Sequence, residues 1–164
     1  MDTVHDPRLT IELVPRPCWQ INVRTSMTRA NWDTLRRSTY TKYDYHCGVC
    51  QASNVQMQCH EIWQYDDEKH IQKLAGFIAL CPMCHHCKHI GHAQILASEG
   101  KLDIEQVIEH FMRVNHCSRE DYQSHKKAAF DLWRERNRFA WTTDLGIYAN
   151  LITQRVGTER KRVG

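Results

Sequence analysis

The sequence lacks any apolar run that approaches the roughly 18 residues of a membrane-spanning helix. It also lacks the basic start and apolar stretch of a secretory leader, because its first six residues are polar and partly acidic. No internal repeat and no low-complexity segment interrupts it, apart from a short basic tail. A chain of 164 residues with 41% apolar content is typical of one soluble domain with its own core. We therefore expect a cytoplasmic protein with no membrane partner.

The sequence also has no large excess of either sign of charge, since 22 Lys+Arg against 19 Asp+Glu leave a net charge of only +3. This is weak evidence for a polyanionic partner, although one face of a nearly neutral protein can still be basic. Basic residues gather before the first cysteine pair, near residue 136 and in the tail. Taken alone, each group is read as a solvated helix face. The first group contains Arg29, Arg36, Arg37 and Lys42.

Cysteine and histidine, in contrast, are abundant. Six of the eight cysteines lie between Cys47 and Cys87, and the chain has eleven histidines. In a reducing compartment, clustered cysteines bind metal more often than they form disulfides. The clustering therefore favours a metal site over a disulfide framework.

Two C-x-x-C turns, Cys47 to Cys50 and Cys81 to Cys84, are separated by 30 residues. Each turn directs two thiolates at one ion, and two turns complete the closed sulfur tetrahedron of structural Zn2+. Reduced buried cysteines and a thioredoxin-like redox pair are weaker interpretations. Cys59 and Cys87 remain alternative ligands, whereas Cys18 and Cys117 are read as ordinary buried residues. The predicted zinc site has no open coordination position and does no chemistry.

The pattern of apolar residues predicts strands at 10–14, 19–23, 57–63 and 74–80, the last of which also fits a short helix. It predicts helices at 28–43, opened by Ser26 or Thr28, and from Met83 to Gly91. The last third is predicted to be helical. Asp103 with Gln106, and Ser118 with Asp121, form capping patterns, and the final helix is expected to run towards Phe139.

Three histidines lie between or directly after the two C-x-x-C turns. His60 lies towards the end of the predicted strand 57–63, and His85 and His89 are i and i+4 on one face of the following helix. Because Cys81 and Cys84 anchor that helix to the first cysteine turn, His60 can approach it. A core or solvated imidazole is the alternative for each residue alone. Together, three histidines with open water positions indicate a catalytic metal site.

The residues from Cys47 to Cys50, Cys59-His60-Glu61, and Leu80 to His89 resemble the HNH endonuclease family, especially its small stand-alone bacterial and phage members. Further similarity lies in Glu12-Leu13-Val14-Pro15, in His60 to Asp67 and in Lys88 to Gly91, so that it covers most of the chain. The resemblance implies an α+β fold with a ββα-metal, treble-clef-like core on a structural zinc. Its expected layout is an N-terminal strand and helix (1–46), the core (47–92), a C-terminal helical extension (93–150) and a basic, disordered tail (151–164).

The resemblance also implies roles for individual residues. His60 and His85 occupy metal-ligand positions, and His89 matches the extra i+4 ligand of colicin-type DNases. Glu61 occupies the position of the general base, which is usually histidine, and Gly76 falls where the orienting asparagine is expected. His86, His70 or His92 is an alternative base, and Asp66 or Asp67 an additional oxygen ligand.

The expected function is metal-dependent cleavage of DNA, with RNA as a further possible substrate. An all-imidazole site favours Ni2+, Co2+, Zn2+ or Mn2+ over Mg2+, which prefers oxygen ligands. Two alternatives are a nucleic-acid-binding module without activity and a protein-interaction scaffold. The sequence leaves substrate structure, oligomeric state and biological role open. Cationic side chains are expected to contact backbone phosphates, namely Arg29, Arg36, Arg37, Lys42 and Lys88.

Overall fold

The computed structural model of the chain describes residues 7–152, which form a mixed α+β fold as predicted. Six helices and a three-stranded sheet lie within this range, together with 3-10 turns at Arg16–Cys18 and Gly146–Leu151. The helices are α1 Val23–Ser26, α2 Arg29–Lys42, α3 Pro82–Lys88, α4 Ile90–Ser98, α5 Ile104–Asn115 and α6 Arg119–Arg136. The strands are β1 Gln58–Asp66, β2 Ile71–Leu80 and β3 Thr142–Asp144.

The sheet is built on a hairpin of β1 and β2, which confirms the two strands predicted in the middle of the chain. Gln58 pairs with Leu80 and Asp66 with Ile71, with a bulge between Ile62 and Trp63. The pairing extends β1 to Asp66, three residues beyond the end of the strand predicted at 57–63. β3 adds to β2 in parallel, so the prediction that the last third is entirely helical is wrong in this segment.

The N-terminal segment from 7 to 15 crosses the protein without forming a strand, so the predicted strand at 10–14 is wrong. Its backbone N–H groups bond to other parts of the fold: Leu9 N to Asn115 Oδ1 (2.9 Å), Ile11 N to His125 Nε2 (3.0 Å) and Glu12 N to the carbonyl of Lys88 (2.9 Å). Side chains of α5 and α6 thus take the donors that a strand partner would need. The strand predicted at 19–23 is also wrong, because α1 begins at Val23 under an Asn22 cap.

The predicted caps are confirmed, and two helix boundaries change. Thr28 caps α2, Asp103 caps α5, and Ser118 forms a reciprocal capping box with Asp121. The helix predicted from Met83 to Gly91 is two helices, because His89 leaves helical geometry (φ −97°, ψ 48°) between α3 and α4. α6 ends at Arg136 rather than near Phe139, whose ring stacks on His70 at 4.2 Å.

Two apolar cores hold the elements together. The larger surrounds the cysteine pairs and contains residues such as Leu9, Leu80, Ile90 and Phe111. The smaller packs Val23, Met27, Leu74 and Phe77 with Ile152. Because Ile152 is buried there, the predicted start of the tail, residue 151, is at least two residues too early. Residues 1–6 and 153–164 lie outside the described residues, as does most of that tail.

Across 7–152, no helix is both long and apolar enough to cross a membrane.

Candidate metal centres

The four predicted cysteine ligands form one cluster. Their sulfur atoms all lie within 4.8 Å of one another, and the Sγ atoms of Cys50 and Cys81 are 3.6 Å apart. A zinc–sulfur bond of about 2.3 Å places tetrahedral sulfurs about 3.8 Å apart. The cluster formed by Cys47, Cys50, Cys81 and Cys84 therefore has the ligand chemistry and spacing for an ion such as Zn2+.

Short-range geometry explains why the two cysteine turns meet. Gly48 donates its backbone N–H to the Ala79 carbonyl at 2.8 Å, which docks the first turn on the end of β2. A Cβ at Gly48 would lie 2.7 Å from Ile78 and from the Tyr43 ring, so this contact requires glycine. Cys81 is the N-cap of α3. Pro82 occupies the first turn of that helix, where proline is tolerated.

The cluster carries its own electrostatic support. Hydrogen bonds from Cys81 and Cys84 lower the pKa of the Cys47 thiol, and the resulting thiolate raises the pKa of Cys81 to about 11. On the other side, Arg113 donates to His110 Nδ1 at 2.8 Å, and His110 Nε2 lies 3.1 Å from Cys84 Sγ. His110 therefore directs its remaining N–H at the sulfur and balances part of the negative charge that four thiolates bring.

The remaining cysteines in the described residues lie outside this cluster. Cys87 donates to the Val107 carbonyl at 3.3 Å, and burial raises the pKa of its thiol to about 12. Burial also raises the pKa of Cys59. Cys18 is buried as predicted, whereas Cys117 is partly exposed.

The three predicted histidines also converge. One ring nitrogen of each lies within 4.8 Å of the others, and His60 Nδ1 is 3.1 Å from His89 Nε2. Bonds of about 2.1 Å to one ion separate two nitrogens by about 3.0 Å at a right angle and about 3.4 Å at a tetrahedral angle. The rings of His60, His85 and His89 meet edge to face. This arrangement fits a shared divalent cation.

The protonation of this cluster favours ligand chemistry. Burial lowers the pKa of His85 to about 3, assisted by the charges that neighbouring histidines would carry. The same two causes, again with burial first, lower the pKa of His89 to about 4. Both imidazoles are therefore neutral near pH 7, and each has a nitrogen lone pair available for a metal.

Glu12 is a central residue of the site that the sequence analysis gave no role. Its carboxylate accepts from His60 Nε2 at 2.8 Å and from Lys88 Nζ at 2.5 Å. Burial alone would raise the pKa of Glu12, but the His60 hydrogen bond and the Lys88 charge lower it to about 2. The available signal was a lone carboxylate inside the apolar run from Ile11 to Val14.

This contact fixes the orientation of the His60 ring. Because Nε2 donates to Glu12, the lone pair of His60 is on Nδ1, the atom that faces His89. The same contact corrects the prediction for Lys88. Its side chain is 9% exposed and tied to Glu12 and Thr10, so it is not presented to a phosphate backbone.

Glu61 lines the same cavity as His60 and His89, a space of about 190 Å³. Its Oε2 accepts from Trp63 Nε1 at 3.2 Å, and burial raises the pKa of its carboxyl group. Gly76 lies opposite Ile62 on β2, so the position expected for an orienting asparagine offers no side chain. Glu61 thus lies at the cavity with Trp63 as a side-chain partner, and Gly76 offers it none.

Several alternative site residues lie too far from the histidines. His70, Asp66 and Asp67 are at the β1–β2 turn, and six strand residues place that turn about 20 Å from His60. Asp67 forms a two-bond ion pair with Arg136, and Asp66 accepts backbone N–H groups of the turn. These three predictions are wrong. His92 lines a neighbouring cleft together with His89.

The basic residues of α2 are presented to solvent. Arg29, Arg37 and Lys42 are exposed, whereas Arg36 is half-exposed and bonded to Asp33 at 2.8 Å. Their contact with phosphates remains a prediction.

Comparisons of the chain with protein-family models, with curated proteins and with solved structures find no match. The geometry of the two side-chain clusters is therefore the basis on which a function can be proposed.

Proposed function

We propose that this protein is a metal-dependent endonuclease of the HNH type, in which the β1–β2 hairpin and α3 form a ββα-metal core on a structural zinc. The observation that carries the proposal is the convergence of His60, His85 and His89 beside a cavity that also exposes Glu61. Imidazole ligands of which two, His60 and His89, line a cavity are the composition of a catalytic rather than a structural metal site.

His60, His85 and His89 would hold the divalent ion, and Glu12 would orient His60 from behind. When bound, such an ion neutralises charge on a phosphodiester and acidifies water. A carboxylate that fixes the outer nitrogen of a histidine ligand also raises its basicity. Glu12 can do this without carrying a net charge into the site, because Lys88 compensates it.

Glu61 is the residue that would accept the proton of the attacking water. A raised pKa brings its proton affinity closer to neutral pH, where a general base is most effective. Trp63 holds Oε2 of the carboxylate and so limits its rotation. The exposed cations of α2 would contact phosphates away from the reacting centre and contribute affinity without sequence specificity.

A second candidate function is nucleic-acid binding without cleavage. The observation that favours it is Gly76, which leaves Glu61 without the side-chain partner that orients the base in HNH enzymes. The same zinc-supported fold and the same α2 surface would serve binding alone. Cleavage therefore distinguishes the two functions.

The test is nicking of supercoiled plasmid by zinc-loaded protein with Mg2+, Mn2+, Co2+ or Ni2+, or with no added metal. We expect nicked product with at least one metal and none without it. His60→Ala and His85→Ala should each lower the rate at least about 100-fold, because loss of a ligand exceeds the 10- to 100-fold effect of an outer contact.

His116→Asn is the matched control, since His116 is exposed at the end of α5 in a left-handed conformation that asparagine tolerates. It should cleave like the wild type. Salt-dependent binding of DNA in the absence of cleavage under every metal would instead support the second function.

A further inference from the structure

A second, larger cleft opens beside the histidine site. It has a volume of about 540 Å³ and shares the side chains of Glu61 and His89 with the inner cavity. Ligand sites commonly have volumes of about 300–1,000 Å³. Three tryptophans, Trp19, Trp63 and Trp133, line it, and we refer to it as the tryptophan cleft.

The indole rings of the tryptophan cleft are held by their polar edges. Trp19 and Trp133 both donate Nε1–H to the carbonyl of Val14, at 2.8 and 3.0 Å, and Trp63 donates to Glu61. The N–H groups are therefore already satisfied, and the apolar ring faces are what the cleft offers. Trp19 nevertheless remains 61% exposed. A large aromatic ring that is held in place but left uncovered has the form of a stacking surface.

Charge near the cleft also suits a nucleotide. Arg16 is exposed, and its guanidinium lies 5.0 Å from the centre of the Trp133 ring. A phosphate next to a base in the cleft could therefore meet a cation at the rim. Two acids, Glu12 and Glu61, line both cavities: Glu12 is compensated by Lys88 and hydrogen-bonded to His60, and Glu61 accepts a hydrogen bond from Trp63.

We propose that the tryptophan cleft binds one unpaired nucleobase next to the phosphate that lies at the histidine site. This inference rests on the proposed function, since it assumes a nucleic-acid substrate. A base has flat apolar faces and polar edges, which match indole faces and the Glu61 and His92 side chains of the wall. A base stacked inside a duplex cannot enter, so the protein selects nucleic acid with unpaired nucleotides.

The test measures binding by fluorescence anisotropy, with zinc retained and no other divalent metal added, so that cleavage does not contribute. Three labelled duplexes are compared: a perfect duplex, one with a single unpaired base, and one with an abasic unit at that position. Stacking on one aromatic ring corresponds to roughly 5- to 150-fold in affinity. We expect the unpaired base to be bound more tightly than the abasic unit by a factor in this range.

Trp19→Ala should remove that preference, and Trp19→Phe should restore most of it, because phenylalanine retains an aromatic face without the N–H. Ile147→Ala, which changes a side chain that is 86% exposed outside the cleft, should keep it. Equal affinity of the wild type for the base and the abasic unit would overturn the proposal. A Trp19→Ala variant that loses affinity equally for all three duplexes would do so too.

The outcome is separable from that of the nuclease test. Plasmid nicking without any preference for the unpaired base would leave the proposed function standing and remove this inference. A preference that depends on Trp19, with no cleavage under any metal, would support the cleft and contradict the nuclease.

Discussion

The cysteine cluster and the histidine cluster share one helix but differ in their surroundings. Three of the four cysteines are fully buried in the larger core, whereas His85 and His89 are half-buried and His89 borders a cavity. Cys84 and His85 are consecutive on α3, and consecutive helical residues point about 100° apart. One helix therefore presents sulfur to the core and imidazole to the histidine cluster, which is how the two centres can lie side by side.

The two clusters also differ in charge. The sulfurs need positive charge around them, and His110 with Arg113 supplies some of it. His85 and His89 are neutral near pH 7, and within residues 7–152 the carboxylate hydrogen-bonded to this cluster is that of Glu12, which accepts from His60. Metal at the cysteine cluster should therefore be a permanent part of the folded protein, and metal at the histidine cluster should exchange with the solution.

The largest effect is expected from Cys84→Ser, which breaks the closed centre. Structural zinc contributes about 10–16 kcal/mol in small zinc domains, which is comparable to the total stability of a domain. We expect loss of bound zinc and of a cooperative thermal transition. Cys87→Ser is the control, because serine can keep the hydrogen bond to the Val107 carbonyl. Zinc analysis measures the bound metal, and circular dichroism follows the thermal transition. A folded, zinc-containing Cys84→Ser protein would contradict the assignment of the four cysteines as zinc ligands.

The next effect is expected from Glu61→Gln, which leaves both clusters intact and removes the proposed general base. Loss of a general base lowers the rate of cleavage by roughly 100- to 10,000-fold. Because burial raises the pKa of Glu61, wild-type activity should fall as pH decreases through a value above the usual 4.5, where the carboxylate takes up a proton. The variant should lose this acidic limb, which a pH–rate profile would show.

Glu68→Gln, at an exposed glutamate of the β1–β2 turn, is the matched control and should keep the wild-type profile. A Glu61→Gln protein that cleaves at the wild-type rate would contradict the proposed role of Glu61 as the base.

The smallest effect is expected from Glu12→Gln, which removes the carboxylate that supports the histidine cluster. Loss of an outer carboxylate lowers metal affinity by roughly 10- to 100-fold. It also leaves Lys88 buried without its charged partner, at a cost of about 3–5 kcal/mol for a fully buried pair. Since the Glu12 side chain is 39% exposed and partly screened, we expect about 2 kcal/mol.

The pH dependence of this loss has a definite sign. The folded pKa of Glu12 is about 2 against an ordinary value of 4.5, so its carboxylate stabilises the fold above pH 4.5 and that contribution is lost as pH falls towards 2. Denaturation of the wild type and of Glu12→Gln should converge over that range. A difference in stability that does not change with pH would contradict the role given to the carboxylate.

The parts of the structure that the sequence predicted are those encoded by local spacing. The C-x-x-C turns, the i and i+4 histidines, the caps at Thr28 and Ser118 and the β1–β2 hairpin each depend on residues close together in the chain. Their periodicity and turn chemistry are visible without knowledge of the fold.

The parts that the sequence did not predict depend on distant contacts. Glu12 reaches His60 across 48 residues, and the backbone of Ile11 bonds to His125 across 114. These contacts turn a segment of strand composition into an irregular one and bury Lys88, which its composition alone would place in solvent. Similarly, β3 forms only because β2 offers it an edge.

The most direct test is to measure bound zinc and plasmid nicking in the same samples after dialysis against a chelator. The account predicts that one zinc per chain remains, that cleavage is absent, and that Mn2+, Co2+ or Ni2+ restores it in the wild type but not in His85→Ala. Cleavage that persists with only that zinc, or that no added metal restores, would contradict an exchangeable catalytic metal at the histidines.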